Sequence, residues 1–538
     1  MTDELGSSKQ KLTISCQCSV PVGPSAKRVQ AGNQNLQNGA RAPSSLPSST
    51  PGLTPDALQD SSTEHIDISP GFSVSMKEAD AAIRLYRTAY MPYFPFVPIP
   101  VTMTAAELHD SAPFFARTLL QMTVPAPASV QKEAQRFFRQ QLAQHVVVNQ
   151  ERRLELLQAI LVFVAWGNFH FYIESQATDL LQLAVALVVD LGLDQSPDSI
   201  GPSRLSFLPT AIRKVKGFVR QGHTQDDRRA MLGCFYLNSV TGSSVFFTPY
   251  LTYCCDKLLE MQEYESDPCL VALVRIQQIL LRVSDALPGP DVHGSASRVV
   301  DAPLQMIMAT ARRELDALVQ KQPPRVGGNA LMRLYEPAIH IRASINLRGP
   351  LDSVRHTEAL WGCLEAARHF FATYATIPLD MLGAMPLVAT SYMAFAVVTS
   401  SMILLLDDPD WDVNLARKTF DFADACQSLG DRFREGDHVS QSLGRRQKFE
   451  DGGRSVLEAN HRKILWIRHW YVSKISATAS PQPRQASTEN CALPMSSVVA
   501  EAPFAQPMQV DQPAFQDALQ FPVDLDGEFW RAMLDIER

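Results

Sequence analysis

The sequence predicts an all-α body, a large multi-helix domain with disordered N- and C-terminal tails. Three observations carry this. Apolar residues recur at helical spacing from residue 76 to about 475, alternating strand-like patterns are scarce there, and no βαβ rhythm appears. Apolar residues make up 46% of the 538, enough to bury a sizeable core. The formal net charge of −7 argues against a body that coats nucleic acid by itself. Nine scattered cysteines form no disulfide framework and no apolar signal segment opens the chain, so a reducing intracellular compartment is expected.

Residues 1–75 are rich in Ser, Pro, Gln and Asn, as in "GARAPSSLPSSTPGLTP", and bury too little apolar surface to offset their ordering entropy. The first helix is expected at "SMKEADAAIRLYRTAY". Ser75 and Glu78 match a capping box, Ala79, Ile83, Tyr86 and Tyr90 form one stripe, and Pro92 stops the helix. Pro92, Pro95, Pro98 and Pro100 hold "PYFPFVPIP" extended, so that Tyr93, Phe94 and Phe96 can anchor a crossing segment on the helices. Over 151–166, Leu154, Leu157, Leu161 and Val164 share a face; over 176–193, Leu180, Ala184, Leu187 and Leu191 do so, closed by Gly192. Arg228 and Arg229 begin a helix with Cys234, Phe235 and Leu237 pointing inward. At 266–283, Asp267 reads as N-cap and Pro268 as the first helical position. Further helices fit 301–320, 329–346, 356–375, 387–406, 412–435 and 454–474. The uncharged stretch 381–406 is long enough to cross a bilayer. However, Pro386 and many Ser, Thr and Ala dilute it, and Asp380, Asp407 and Asp408 flank it where Lys or Arg would anchor a span. A core helix is the expectation, and a membrane-associated protein the alternative.

Chemistry-bearing motifs are few. No phosphate loop, Gly-x-Ser-x-Gly elbow or His-Glu-x-x-His helix occurs. The Asp-rich segment 407–412 (Asp407, Asp408, Asp410, Asp412) is the one enzyme candidate, because all-α isoprenoid cyclases hold Mg²⁺ through an aspartate-rich helix end. Pro409 separates these acids, so the competing reading is a helix stop followed by an N-cap for a helix at Trp411. His461 and His469 are too far apart on one helix to chelate an ion and read, with Arg462, Lys463 and Arg468, as a basic face. Cys234, Cys254, Cys255, Cys269, Cys363 and Cys426 lie on or beside apolar helices without metal spacing. No catalytic residue, metal or cofactor is assigned, and the chain is not expected to be an enzyme.

Residues 476–538 lose the helical period until "PAFQDALQFPVDLDGEFWRAMLDIER". There Glu501, Asp511, Asp517, Asp524, Asp526, Glu528, Asp535 and Glu537 surround Phe515, Leu519, Phe521, Leu525, Phe529, Trp530 and Leu534. Acids that keep aromatics solvated typify activation segments that fold on a partner. The competing reading is a last amphipathic helix docked on the body.

Several stretches in order, "AYMPYFPFVPIP", "SAPFFARTLLQMT", "LELLQAILVFVAWGNF", "LLQLAVALVVDLGLDQSP", "DRRAMLGCFYLNSVTGSS" and "YESDPCLVALVRIQQI", resemble the regulatory, or middle homology, domain of fungal zinc-cluster transcription factors. The resemblance covers roughly residues 76–475. Met231, Leu232 and Asn238 stand where that family often carries paired tryptophans and an Asp. Members normally place six zinc-binding cysteines ahead of this domain. Here only Cys16 and Cys18 precede Cys234, and two thiols one residue apart cannot build such a cluster. The resemblance implies a nuclear transcriptional regulator that contacts the transcription machinery or a DNA-binding partner protein. Direct DNA contact is not expected without the cluster, although a module encoded ahead of Met1 is compatible with the reading. A homodimer and a small-molecule effector stay open, and no membrane partner is expected.

Overall fold

Regular structure is present ahead of the first expected helix. The computed structural model describes residues 65–167, 176–196, 222–242, 249–286, 302–323, 327, 329–340, 350–445, 454–479, 525, 527, 529 and 530. Strands β1 (His65–Ser69) and β2 (Phe72–Ser75) pair antiparallel, Ile66 opposite Val74. Gly71 sits in the turn after Pro70 at φ +77°, a conformation that side chains resist. Ile66, Ile68, Phe72 and Val74 are buried. The boundary expected at residue 75 therefore falls too late: a Pro-Gly turn between two short alternating runs was the missed signal. The expected disorder of residues 1–64 lies outside the described residues.

The hairpin leads into α1 (Met76–Leu85), opened by the expected capping box: Ser75 Oγ accepts from the Glu78 N–H, and the Glu78 carboxylate accepts the Ser75 N–H at 3.0 Å. A π turn, Tyr86–Tyr90, extends it and buries Tyr86 and Tyr90. The Pro-rich segment then crosses the helices with Phe94, Phe96, Val97 and Ile99 buried, while Tyr93 is only half-buried. Helices α2 (Ala105–Ser111), α3 (Pro113–Thr123), α4 (Ala128–Ala143), α5 (Leu154–Trp166), α6 (Gln176–Asp190), α7 (Gln225–Val240), α8 (Pro249–Met261) and α9 (Asp267–Ala286) follow. With the hairpin they enclose a first core, with α5 at its centre: every residue from Leu156 to Ala165 except Gln158 is buried. Gly192, at φ +70°, ends the α6 region as expected.

A second core is built from α11 (Ala330–Tyr335), α12 (Pro337–His340), α13 (Pro350–Tyr374), α14 (Leu387–Leu405), α15 (Val413–Thr419), α16 (Phe422–Ser442) and α17 (Val456–Ala479). A smaller third core joins the end of α9, α11 and α10 (Ala302–Val319), which precedes α11 in the chain. Two expected helices are divided. Pro337 separates α11 from α12, and Phe420–Asp421 separates α15 from α16, whose first turn Asp421 caps by accepting from Asp424 N–H.

Helix α14 is long and apolar enough to cross a membrane by length and composition, yet here it is a core helix. Val388 packs in the first core and Ala396, Val397, Ile403 and Leu404 in the second. Its buried Ser391 and Ser401 hydroxyls donate to backbone carbonyls one turn back.

The crossing segment depends on Gly233 of α7. A Cβ there would lie 2.8 Å from Phe96 Cβ and 3.2 Å from Leu161 Cδ1, leaving no room for a methyl group. Gly233→Ala is expected to lower the unfolding free energy by about 1–3 kcal/mol, read by urea denaturation.

Candidate functional site

The three cores meet imperfectly, and a half-open cavity of about 90 Å³ remains at their junction. Its apolar wall takes Phe94 from the crossing segment, Ile276 and Leu280 from α9, and Phe370 from the end of α13. Phe94 packs against Phe96 and Trp166 at ring distances of 4.9 and 5.7 Å, which fixes the crossing segment at this wall.

A polar line from four helices runs along the same cavity. Arg333 Nη1 donates to Gln277 Oε1 at 3.0 Å, and Gln277 Nε2 donates to the Tyr392 hydroxyl at 3.3 Å. That hydroxyl lies 3.2 Å from the Tyr236 hydroxyl. Burial holds the Tyr236 phenol protonated, well above its ordinary range. Asn329, one helical turn before Arg333, stands at the wall with its buried Oδ1 unpartnered.

Below this line, Arg229 of α7 is fully buried among three carboxylates. Its Nε and Nη2 donate to the two oxygens of Asp267 at 2.9 and 3.0 Å, its Nη1 to Asp226 at 2.8 Å, and its Nη2 also to Glu263 at 2.9 Å. The Tyr264 ring covers the guanidinium at 4.6 Å. Asp267 is equally inaccessible, whereas Asp226 and Glu263 are about half exposed. Asp267 is thus not the expected N-cap. It is the first residue of α9, and its carboxylate is committed to Arg229 and to the Tyr264 N–H.

The aspartates of 407–412 do not converge. Asp408 accepts from the Asp410 N–H, and Asp412 accepts from the N–H groups of Asn414 and Leu415, capping α15 at Val413 rather than a helix at Trp411. Among the described residues no group of three His, Cys, Asp or Glu side chains is arranged to hold a metal ion. His461 turns toward α16, 2.7 Å from the Gly430 carbonyl; of the expected basic face, Arg462 and His469 are exposed, Arg462 paired with Glu458, while Lys463 and Arg468 are half-buried. Burial pushes the Cys234 and Cys255 thiols up to about 12 and Cys254 to about 11, which disfavours the nucleophilic thiolate.

Of the acidic-aromatic segment, Leu525, Phe529 and Trp530 fall within the described residues. Leu525 and Phe529 are buried in the second core, the Phe529 ring 4.6 Å from Trp470 of α17, with Trp530 packed beside them. Phe515, Leu519, Phe521 and Leu534, like Cys16 and Cys18, lie outside the described residues.

No family model and no solved structure matches the chain. Curated proteins do. Transcription factor himD of Aspergillus japonicus is 26% identical over 277 residues, 50% of this chain and 44% of himD. Transcription factor opdL of Penicillium oxalicum is 23% identical over 386 residues, 68% of this chain and 66% of opdL. The chain is a homologue of fungal transcription factors. Transcriptional regulator WAR1 of Candida albicans is a further relative, 23% identical over 252 residues, 44% of this chain and 26% of WAR1. The matched regions span somewhat under half the length of himD and about two thirds of opdL.

In this homologue of fungal transcription factors, the Arg229 cluster and the cavity are the features that sequence reasoning missed. Arg229 was visible only as a helix start, because apart from Asp226, three residues before it, its partners lie 34 and 38 residues away. The cavity has no local signal at all, since its polar line draws one residue from each of four helices. Arg229→Met strands the buried Asp267 carboxylate and is expected to cost about 3–5 kcal/mol in urea denaturation. The double variant Arg229→Met with Asp267→Leu should recover most of that loss, because no uncompensated buried charge remains.

Proposed function

We propose that the chain is a non-enzymatic transcriptional regulator that works in the nucleus. Its helical body carries the regulatory role, and its acidic-aromatic C-terminal segment contacts the transcription machinery. The observation that carries this reading is the alignment with opdL, which extends over 68% of the chain. DNA is reached through a partner protein, or through a zinc-cluster module preceding Met1. The activation role expected for this segment rests on its composition, apolar and aromatic groups interleaved with acids, and we assign it to Phe515, Leu519, Phe521 and Leu534, because Leu525 and Phe529 are buried.

Burial of Leu525 and Phe529 divides the segment into a part that anchors on the body and a part available to a partner. The test is a reporter assay with the chain fused to a heterologous DNA-binding domain. Deleting 501–538 should abolish activation. Changing Phe515, Leu519 and Phe521 to Ser together, with Leu525 and Phe529 left in place, should reduce it about tenfold if these side chains anchor the partner contact. Unchanged activation in the triple variant removes the assigned role of the segment. A full-length fusion that neither activates nor represses the reporter overturns the regulator reading.

A further inference from the structure

Arg333 is the one charged side chain among the residues that line the cavity, beside neutral polar groups and facing hydrocarbon. Its hydrogen-bond partner is the neutral Gln277 side chain, and among the described residues no carboxylate pairs with it. Arg229, Arg417 and Arg432, by contrast, donate to carboxylates or backbone carbonyls, Arg229 most completely. A half-buried guanidinium beside a cavity, with neutral donors lined up next to it and hydrocarbon opposite, is suited to an anionic oxygen group. One guanidinium and a few neutral groups can offset a single negative charge. They cannot offset the double charge of a phosphate monoester, whose desolvation would cost more. The 90 Å³ enclosed is smaller than the ~150 Å³ apolar cavity that holds benzene, so the enclosed part is a headgroup and a few carbons, with the remainder at the open side.

We propose that this cavity binds a small apolar carboxylate. The carboxylate meets Arg333 and the line formed by Gln277, Tyr392 and Tyr236, and the hydrocarbon body lies against Phe94, Ile276, Leu280 and Phe370. Because the line joins α7, α9, α11 and α14, an occupant touches all three cores at once and stabilises one relative arrangement of them. As an effector site this rests on the regulator reading; as a binding site it does not.

The experiment uses the full chain with phenylacetate, 3-phenylpropionate and 4-phenylbutyrate as probes. Each is paired with its uncharged primary amide, and binding is read by saturation-transfer NMR and calorimetry at about 1 mM ligand. At least one carboxylate should bind, and its amide about tenfold more weakly, the loss expected for one charge-assisted contact. Arg333→Gln should weaken the carboxylate about tenfold and leave the amide unchanged, while Leu280→Trp, which fills the cavity, should block both. Gln277→Leu, which removes the next polar contact, serves in place of Arg333→Gln if that variant does not fold. Absence of binding by all three carboxylates, equal binding of acid and amide, or binding unaffected by these substitutions overturns the proposal. These readouts involve no promoter, so a failed reporter assay with intact binding would count against the transcriptional reading alone.

Discussion

A guanidinium with no accessible surface survives in a protein only where its donors are satisfied and its charge is matched nearby. Arg229 meets both conditions through Asp267, with Asp226 and Glu263 at the margin and the Tyr264 ring over its face. The pair ties the second turn of α7 to the first turn of α9. Further along, α7 holds Phe96 and Tyr236 in the first core, and α9 runs on into the third. Such a pair adds little net stability against a hydrophobic replacement, but mispairing it leaves a bare buried charge. It therefore acts on register: it fixes which turn of α9 faces α7, and so where Gln277 stands relative to Tyr236.

The rest of the body is arranged by helix α14. It begins in the first core at Val388 and continues through the second, and Tyr392 touches both. Trp166 of α5 reinforces the crossing, donating from Nε1 to the Ala384 carbonyl at 3.0 Å just before α14 begins. Three cores sharing so few elements cannot all fill their common corner with side chains, and the cavity is what remains. Its polar line follows from the same cause. Gln277, Tyr392 and Tyr236 reach the junction away from bulk water and find partners on different helices, whereas the Asn329 Oδ1 is left without one.

The acidic-aromatic segment shows how one stretch combines two demands. Leu525 and Phe529 complete a hydrophobic surface on α17 beside Trp470, a packing role. The eight acids from Glu501 onward oppose burial of the whole segment, since each would need a partner in the core. Anchoring at two apolar side chains meets the first demand without requiring burial of the acids.

The sequence by itself determined the helical class, the capping box at Ser75, the C-cap at Gly192, the buried crossing segment and the core character of 387–405. Each of these depends on residues a few positions apart, where period, cap chemistry and proline geometry act locally. The hairpin at 65–75 was legible too, in its Pro-Gly turn and alternating Ile and Phe/Val, but its strands are short enough to be lost in a Ser- and Pro-rich stretch. Only the tertiary structure decided that Asp267 serves Arg229 rather than a helix end, that Asp412 caps a helix starting at Val413 rather than at Trp411, and that Phe529 lies against Trp470. It alone created the cavity, with Arg333, Gln277, Tyr392 and Tyr236 drawn from four helices. The reason is common to all of these: side chains far apart in the chain meet only when packing sets helix register, and no local pattern encodes that meeting.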